Sequence, residues 1–387
     1  MNILFLTSWY PTINNPNLGV FIKEHAHAIS SAGNSVVVLA IVATRSDKIW
    51  SKIVTDSFDE NGVRTITIEL NSRFRDIVYH AIPIQYYFVK NAVKKLIADG
   101  FEPEIIHSNV IFPAGIIGNW LADRLKKPHI ISEHWSRIKG FLSKPIFGRL
   151  AIKSYQNAIR ILPVSIFLKK RMLDLIPTLD ASRIQIVGNV IDSNIFNYKE
   201  RSPFSETLHF CAVATWANKK VPDKIPELFI EALAQLQIEI KQSIQLTMVG
   251  GGDKIPELEA LCSLKGLKVQ FVGARTKNEI ANYLQESDYF VHASTIETFG
   301  VVVVEALLCG TPVICSNVGA LPEIINESNG VLCENTVENW IEGIKRAIET
   351  NFQKNKIASD FKQKFSTLQI GEEINNVYND VCKVRFL

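Results

Sequence analysis

Two glutamates lie eight positions apart in the second half of the chain, at a spacing that suits the binding of one long ligand. An apolar run typical of a strand, residues 289–293, precedes them, and we expect a helix to begin near Phe299 or Gly300. Glu297 then comes before the helix, and Glu305 lies more than one turn along it. Their carboxylates could accept hydrogen bonds from hydroxyl groups at two ends of a ligand.

The expected helix start adds a second element to this arrangement. The first N–H groups of a helix have no partner within the helix and carry partial positive charge, so they attract phosphate. Gly300 lets the backbone approach such a ligand closely. A nucleoside diphosphate sugar has a central diphosphate and hydroxyls on both ribose and hexose, and it therefore fits these features. Charged residues on a helix are most often a solvated face, which is the alternative interpretation of the two glutamates.

This segment resembles the E-x7-E motif of the family 4 glycosyltransferases, which are retaining enzymes of GT-B fold. The similarity includes the Ser-x-x-Glu-Thr-Phe-Gly sequence that ends at Gly300 and the Glu-Ala-Leu-x-x-Gly-x-Pro-Val-Ile sequence that begins at Glu305. It implies that Glu297 binds hydroxyls of the donor sugar and that Glu305 binds the ribose. It also implies backbone contacts to the donor diphosphate from Thr298, Phe299, Gly300 and Val301.

The resemblance to this family continues in the first half of the chain. Gly19 occupies the place of a glycine-rich loop that contacts the donor diphosphate. The run that ends at His134 resembles the strand before a histidine that lines the sugar site, which implies that His134 orients the sugar or stabilises positive charge at its anomeric carbon. Residues 186–192 resemble a Pro-Asn-Gly-Val-Asp turn with its glycine replaced. His25 and His27 are expected to be surface or acceptor-side residues.

The basic residues near position 220 depart from the family pattern. The family has an arginine and, several positions later, a lysine that neutralise the donor diphosphate. Thr215 stands at the arginine position, whereas Lys220 best fits the lysine, with Lys219 as the neighbouring alternative. Arg275 aligns with backbone that contacts the nucleobase, and it could also replace the missing cation. One cation fewer would weaken the stabilisation of the leaving group.

Length and charge restrict the class of protein. A chain of 387 residues, 47% hydrophobic and 21% charged, is expected to form two globular domains. A formal net charge of +3 argues against a dedicated nucleic-acid binder. Residues 1–200 nevertheless carry 24 Lys and Arg against 16 Asp and Glu, a net charge of +8, so this basic half could contact an anionic membrane or an anionic acceptor. Ordinary helices with lysine stems over apolar surface are the alternative.

Short β-branched runs alternate with segments of helical period in two sets, which predicts an α/β fold with two doubly wound, Rossmann-like domains. We expect an acceptor-binding domain at 1–196, a polar linker at 197–206 and a sugar-nucleotide-binding domain at 207–370. Such sheets bind ligands at the carboxyl ends of their strands, here in a cleft between the domains. By resemblance to GT-B enzymes, a helix in residues 371–387 crosses back to the first domain. The expected strands are 2–8, 36–43, 64–70, 104–108, 129–133, 160–165, 184–188, 208–215, 244–250, 268–272, 289–293, 312–316 and 330–333.

Several absences in the sequence argue against other classes. No apolar run approaches the roughly 18 residues of a membrane-spanning helix, and no charged segment precedes the apolar N-terminus. The sequence has no metal-binding pair at a strand end, no G-x-S-x-G nucleophile elbow and no G-x-G-x-x-G fingerprint. The six cysteines form no C-x-x-C pair. We therefore expect no metal, no cofactor and a cytoplasmic location, and the basic half would allow contact with the inner face of the plasma membrane.

The combined prediction is a retaining hexosyltransferase that moves a sugar from a UDP- or GDP-sugar to a glycan or lipid-linked acceptor of a cell-surface polysaccharide. Lys220, the Gly19 loop and the helix start would stabilise the leaving diphosphate, and the acceptor would attack the face from which it departs. Two other classes stay open. One is a catalytically silent sugar-nucleotide-binding or scaffold subunit, because Thr215 replaces arginine, and the other is a GT-B epimerase or phosphorylase.

Overall fold

The chain folds as two compact units, Met1–Val190 with Thr367–Leu387, and Ile191–Ser366. The sequence placed the domain boundaries a few residues later, at 196 and 370. The computed structural model describes residues 1–12, 15–16, 18–135, 137–200, 207–240 and 242–383. Residues 201–206 of the predicted linker therefore lie outside the described residues.

A seven-stranded sheet forms the centre of the first unit. Its strands are β1 (Asn2–Thr7), β2 (Ser35–Arg45), β3 (Ser51–Phe58), β4 (Arg64–Ser72), β5 (Ile105–Asn109), β6 (His129–Glu133) and β7 (Arg160–Pro163). They lie in the order β3-β4-β2-β1-β5-β6-β7, and all neighbours are parallel except β3 and β4. The central strand β1 is buried from Ile3 to Leu6, as expected for a parallel sheet with helices on both faces.

Helices connect these strands, as the alternating sequence pattern predicted. They are α1 (Val20–Ser31), α2 (Arg75–His80), α3 (Ile82–Ala98), α4 (Ile116–Leu125), α5 (Ile138–Leu142), α6 (Pro145–Asn157) and α7 (Ile166–Leu175). Short helical turns at Ile111–Gly115 and Ala181–Arg183 complete the first part of the chain.

The second unit has a six-stranded parallel sheet with order β10-β9-β8-β11-β12-β13. Its strands are β8 (Thr207–Val213), β9 (Ser243–Val249), β10 (Lys268–Gly273), β11 (Tyr289–His292), β12 (Val313–Ser316) and β13 (Gly330–Cys333). Its helices are α8 (Glu227–Ile240), α9 (Ile255–Lys265), α10 (Lys277–Gln285), α11 (Val301–Leu308), α12 (Val337–Glu349) and α13 (Lys354–Phe365), with a short turn at Leu321–Glu323. Two parallel α/β sheets confirm the predicted fold class.

The last helix, α14 (Thr367–Lys383), belongs to the first unit and packs against α1. Gly371 permits this close approach, because a Cβ there would lie 2.4 Å from the carbonyl oxygen of Ala28. The hydroxyl of Tyr378 lies 2.6 Å from Nδ1 of His107, so α14 also makes a buried contact with β5 of the sheet. Among the described residues, no helix combines the length and the apolarity of a membrane span.

Two local predictions were wrong. Residues 184–188 are not a strand, and Ile184 makes only an isolated bridge to Ile161 at the edge of the sheet. The sequence analysis also missed β3, which forms an edge hairpin with β4. Nearly every residue of β3 is exposed, so no buried face imposes the apolar alternation by which strands are recognised.

Candidate functional site

The loop after β11 leads directly into α11 in the second unit. This helix begins at Val301, and Gly300 precedes it with a left-handed φ of 91°. A Cβ on Gly300 would lie 2.8 Å from Cδ2 of Leu321, so both the backbone conformation and the packing favour glycine. Gly300 supplies no side-chain acceptor to the first N–H groups of the helix. An anion could therefore bind at this end of α11.

Glu297 lies in that loop and contacts three polar side chains. Its Oε1 atom forms an ion pair with Nζ of Lys224 and lies 2.8 Å from Nε2 of His292. The same oxygen is 3.2 Å from Oγ of Ser294. The Glu297 side chain is 15% exposed and that of Lys224 is 26% exposed, so the pair is shielded but still reaches the surface.

The charges in this cluster follow from its contacts. Burial opposes ionisation of Glu297, but Lys224 and His292 outweigh it and hold the pKa of this carboxyl well below its usual range. Burial and the neighbouring Lys224 charge lower the pKa of His292, against the opposing effect of Glu297. His292 is therefore neutral near pH 7, and its Nε2–H donates to Glu297, because the carboxylate oxygen that faces it only accepts hydrogen bonds.

Backbone pairing fixes the position of Lys224. Lys224 forms an antiparallel bridge with Ser294, and the flanking N–H groups of Ile225 and Thr295 donate to the carbonyls of Ala293 and Asp223. Sequence reasoning missed both Lys224 and His292 as site residues. No local sequence signal separates Lys224 from Lys219 and Lys220, because the path of the loop between β8 and α8 cannot be read from its residues.

The predicted donor-binding residues on α11 and directly before it differ in how much of their side chains is exposed. Glu305 lies one turn along the helix and is 9% exposed. Phe299 is also buried and packs edge-on against Phe365, with ring centroids 5.3 Å apart. Thr298 and Val301 are half-buried beside the helix start. The helix start predicted near Gly300 is therefore confirmed, and the donor contacts of Glu297 and Glu305 stay predictions.

The other predicted cations lie apart from Glu297. Lys219 pairs with Asp223 at 2.5 Å, and Lys220 is exposed in the same loop. Arg275 follows β10, where its Nε is 3.7 Å from Oε1 of Glu279 on α10. Thr215, at the expected arginine position, is exposed after β8. The cation that contacts Glu297 is Lys224.

Gly19 occupies a tight position at the start of α1 in the first unit. Its φ is +65°, and a Cβ would lie 2.2 Å from the carbonyl oxygen of Trp9. No other residue fits this turn without movement of the backbone, because both the left-handed conformation and the contact exclude a side chain. Gly19 therefore forms a tight turn directly before α1, and its contact with a phosphate stays a prediction.

His134 directly follows β6 and is 7% exposed. Its Nδ1 lies 3.0 Å from Oδ1 of Asn189, and its ring contacts those of Phe21 and His25. Of the two alternatives predicted for His25, a surface position was wrong, because His25 is 1% exposed and its Nε2 lies 3.3 Å from the same Asn189 oxygen, whereas a role on the acceptor side stays a prediction. Burial lowers the pKa of His25 to about 4 and that of His134 well below 6.5, so both rings are neutral at pH 7.

Glu133 fixes the backbone that carries His134. Its carboxylate accepts hydrogen bonds from the N–H groups of Ile111, His134 and Trp135 and from the hydroxyl of Tyr155. Burial raises the pKa of Glu133, while these four donors lower it. The strand end is therefore rigidly held before the histidine leaves it.

Two family models match the chain. The Glycosyltransferase Family 4 model matches residues 18–194, and the Glycosyl transferases group 1 model matches residues 214–364. An uncharacterized glycosyltransferase of Methanocaldococcus jannaschii is 24% identical, over 90% of this chain and 95% of its own length. A putative teichuronic acid biosynthesis glycosyltransferase of Bacillus subtilis is 21% identical, over 99% of each chain.

Solved structures resemble the whole chain at low sequence identity. Anabaena HepE in complex with UDP has a TM-score of 0.71 and 20% identity, and the match covers 98% of this chain and 100% of that one. The lipopolysaccharide outer core galactosyltransferase WaaB, in its apo form, has a TM-score of 0.70 and 16% identity, with the same coverage. At these identities, the similarity establishes the fold alone.

Proposed function

Because this chain belongs to the family 4 glycosyltransferases, we propose that it transfers a hexose, with retention, from a nucleoside diphosphate sugar to a lipid-linked or glycan acceptor of a cell-surface polysaccharide. The GT-B fold predicted from the sequence is confirmed by the two parallel α/β sheets and by the similar glycosyltransferase structures. The donor, the acceptor and the stereochemistry are parts of the proposal.

The cluster of Glu297, Lys224 and His292 beside the start of α11 is the observation that carries the proposal. A carboxylate with a depressed pKa accepts hydrogen bonds from sugar hydroxyls without taking up their protons. The adjacent ammonium and helix start favour a diphosphate. Glu305, one turn along α11, would bind the ribose hydroxyls. A nucleoside diphosphate sugar satisfies these groups in one molecule.

Electrostatic stabilisation of the departing diphosphate would be the main catalytic contribution. Lys224 is the best placed cation, since it lies beside Glu297, and the N–H groups at 299–301 would act with it. A contact of Gly19 with the donor diphosphate stays a prediction. Two further contacts stay predictions. The diphosphate would be contacted by Lys220 or Lys219, and the nucleobase by the segment at Arg275. His134 would orient the sugar as a neutral ring rather than carry positive charge, because burial lowers its pKa.

UDP is the first nucleotide to test, since Anabaena HepE was crystallised with UDP and shares this fold. The teichuronic acid relative in Bacillus subtilis supports a polysaccharide acceptor. GDP-sugars stay in the prediction, because the roles assigned to the charged cluster concern the sugar and the diphosphate and do not distinguish the bases.

Peripheral contact with an anionic membrane is a further part of the proposal. Ten of the sixteen large apolar side chains recorded as exposed in the described residues lie between positions 49 and 97 of the first unit, so this region is the strongest candidate surface. Trp50 stacks on Phe88 with a centroid distance of 6.2 Å, and Nζ of Lys52 lies 4.8 Å from the centre of the same ring. Aromatic rings beside lysines suit the interface of an anionic bilayer. Location at the inner face of the plasma membrane stays a prediction.

The test supplies UDP-, GDP- and ADP-sugars with radiolabelled hexose, together with lipids extracted from bacterial membranes. We expect one donor to label a lipid or glycan and to release its nucleoside diphosphate, and Glu297→Gln to reduce both signals about 100- to 1,000-fold. Saturable binding of nucleotide without any released sugar would instead favour a silent subunit. Epimerised donor in the absence of acceptor, or a sugar phosphate formed with free phosphate, would favour an epimerase or a phosphorylase.

A further inference from the structure

A single amide oxygen lies between two buried imidazole rings in the first unit. Oδ1 of Asn189 is 3.0 Å from Nδ1 of His134 and 3.3 Å from Nε2 of His25. The residues are 4%, 7% and 1% exposed, respectively, so water does not compete for these contacts. The sequence singled out residues 186–192 as an altered turn, and the proposed reaction has so far given them no role.

The chain before Asn189 is held against the sheet. The N–H groups of Gln185 and Val187 donate to the carbonyls of Ile161 and Pro163 at the end of β7. On the other side, Glu133 accepts from the N–H groups of His134 and Trp135. The amide and the ring therefore meet from two fixed segments of backbone.

The positions of the protons follow from this geometry. A carbonyl oxygen only accepts hydrogen bonds, so each ring nitrogen that faces it must carry a proton. A neutral imidazole has one N–H, and the opposite nitrogen then keeps a lone pair. These opposite atoms are Nε2 of His134 and Nδ1 of His25, and neither has a hydrogen-bond partner in the described structure.

We propose that Asn189 is a positioning residue that holds His134 in the tautomer with a proton on Nδ1, so that its Nε2 accepts a hydrogen bond from a hydroxyl of the transferred sugar. This inference rests on the proposed function for the identity of the hydroxyl. His25 supports this arrangement, because its Nε2–H donates to the same amide oxygen and keeps that oxygen directed toward the two rings. A buried acceptor without a partner selects a ligand that donates a hydrogen bond, since leaving it unpaired is unfavourable.

The tautomer can be measured directly by nitrogen NMR on protein labelled with ¹⁵N-histidine, without any sugar nucleotide. Loss of one ring's signals in His134→Gln assigns His134 among the eight histidines of the chain. In the wild-type protein we expect His134 to be protonated at Nδ1 and unprotonated at Nε2. A ring protonated at Nε2 would overturn the proposal.

Two substitutions at Asn189 test the cause of that tautomer. Asn189→Leu removes the acceptor, and we expect the tautomers of His134 to mix, whereas Asn189→Asp keeps an acceptor oxygen and should retain the proton on Nδ1, although its charge also favours a second proton on the ring. Asn119→Leu is the matched control, because Asn119 is also buried in the first unit but its oxygen accepts from Asn157. An unchanged tautomer in Asn189→Leu would contradict the proposal. If that variant does not fold, the Asp variant decides, because loss of the Nδ1–H form in it would also contradict the proposal.

Steady-state kinetics give the functional readout. We expect Asn189→Leu to lower kcat about tenfold, the effect of one misdirected hydrogen bond, with a smaller change in KM. An equal loss of kcat in Asn119→Leu would indicate a merely structural effect and would contradict the positioning role of Asn189. If wild-type protein shows the Nδ1–H tautomer but transfers no sugar, the proposed function fails while the assignment of the proton stands.

Discussion

The two units have the same kind of parallel sheet, yet the polar groups beyond their strand ends differ in charge. In the first unit, Asn189 joins His134 and His25 in a buried cluster of neutral groups. In the second unit, Glu297 and Lys224 form a charged pair. Burial explains the difference, because an isolated charge is costly to bury, whereas a paired charge near the surface is tolerated.

This difference suggests a division of tasks between the two clusters. Fixed charges interact most strongly with phosphate and with charge that develops during a reaction. A neutral imidazole with one unprotonated nitrogen accepts a hydrogen bond from a hydroxyl group and so fixes the orientation of that hydroxyl. The charged cluster should therefore dominate the rate and the binding of the donor, and the neutral cluster should make a smaller contribution to orientation.

Glu297→Gln should have the largest effect. The amide keeps the size of the side chain but removes the negative charge that Lys224 and His292 contact. We expect transfer to fall about 100- to 1,000-fold, the range found for preorganised catalytic groups, with a smaller effect on the binding of bare nucleotide. The measurement is kcat from initial rates beside the Kd of the nucleoside diphosphate. Equal losses in rate and in nucleotide binding would remove Glu297 from its role at the sugar.

Lys224→Met and Lys220→Met separate the cation found in the structure from the one chosen from the sequence. Lys224 contacts Glu297, whereas Lys220 is exposed in the preceding loop. We expect transfer to fall about 100-fold in Lys224→Met and only a few-fold in Lys220→Met, because the loss of a preorganised charge is the more severe change. Denaturant unfolding of both variants is the control that detects any loss of stability caused by the substitutions. The reverse order of rates would restore Lys220 as the main cation.

Glu305→Ala should weaken binding of the donor by about tenfold to 100-fold, the effect of losing hydrogen bonds to a charged acceptor. Glu305 is mostly buried on α11, so its loss also leaves space near the helix. The measurement is the stabilisation of the protein by its preferred donor in thermal unfolding, which should vanish at concentrations that stabilise the wild type. An unchanged stabilisation would exclude Glu305 from binding the ribose.

Mild acid should destabilise the first unit before it affects the charged pair. Burial lowers the pKa of His25 to about 4 and those of His107 and His129 to about 3. In the unfolded chain the pKa of histidine is about 6.5. The stability contributed by these neutral rings is therefore complete above that pH and is lost as pH falls. Each histidine can lower the free energy of unfolding by up to about 1.4 kcal/mol per pH unit between pH 6.5 and 4. Glu297, whose pKa is lowered, contributes a loss only below about pH 4.3.

His107→Gln is the variant that tests this acid sensitivity. Glutamine retains a polar group near Tyr378 and Ser132, which contact His107, but it cannot take up a proton. Denaturant unfolding at pH 7, 6, 5 and 4 should show a shallower loss of stability in the variant than in the wild type. Parallel curves would mean that His107 is not a source of the pH dependence. The raised pKa of Glu133 acts in the opposite direction in both proteins, so it cancels in the comparison.

The predictable parts of the site are those fixed by local backbone chemistry. Gly300 and the start of α11 follow from turn and helix rules, whereas Gly19 and His134 were predicted from the resemblance to the family. Lys224 was missed because the length of a loop does not reveal which lysine reaches back to the sheet. Asn189 and His25 were missed because their contact joins residues 164 positions apart, which no local pattern encodes.

Thermal unfolding of the wild-type protein with a panel of UDP-, GDP- and ADP-sugars tests the central claim most directly. A ligand that binds only the native state raises its apparent stability by mass action. We expect one sugar nucleotide to raise Tm with saturable dependence at micromolar to millimolar concentration, and Glu305→Ala to remove that rise. No rise with any sugar nucleotide at millimolar concentration would contradict the account of a donor site on α11.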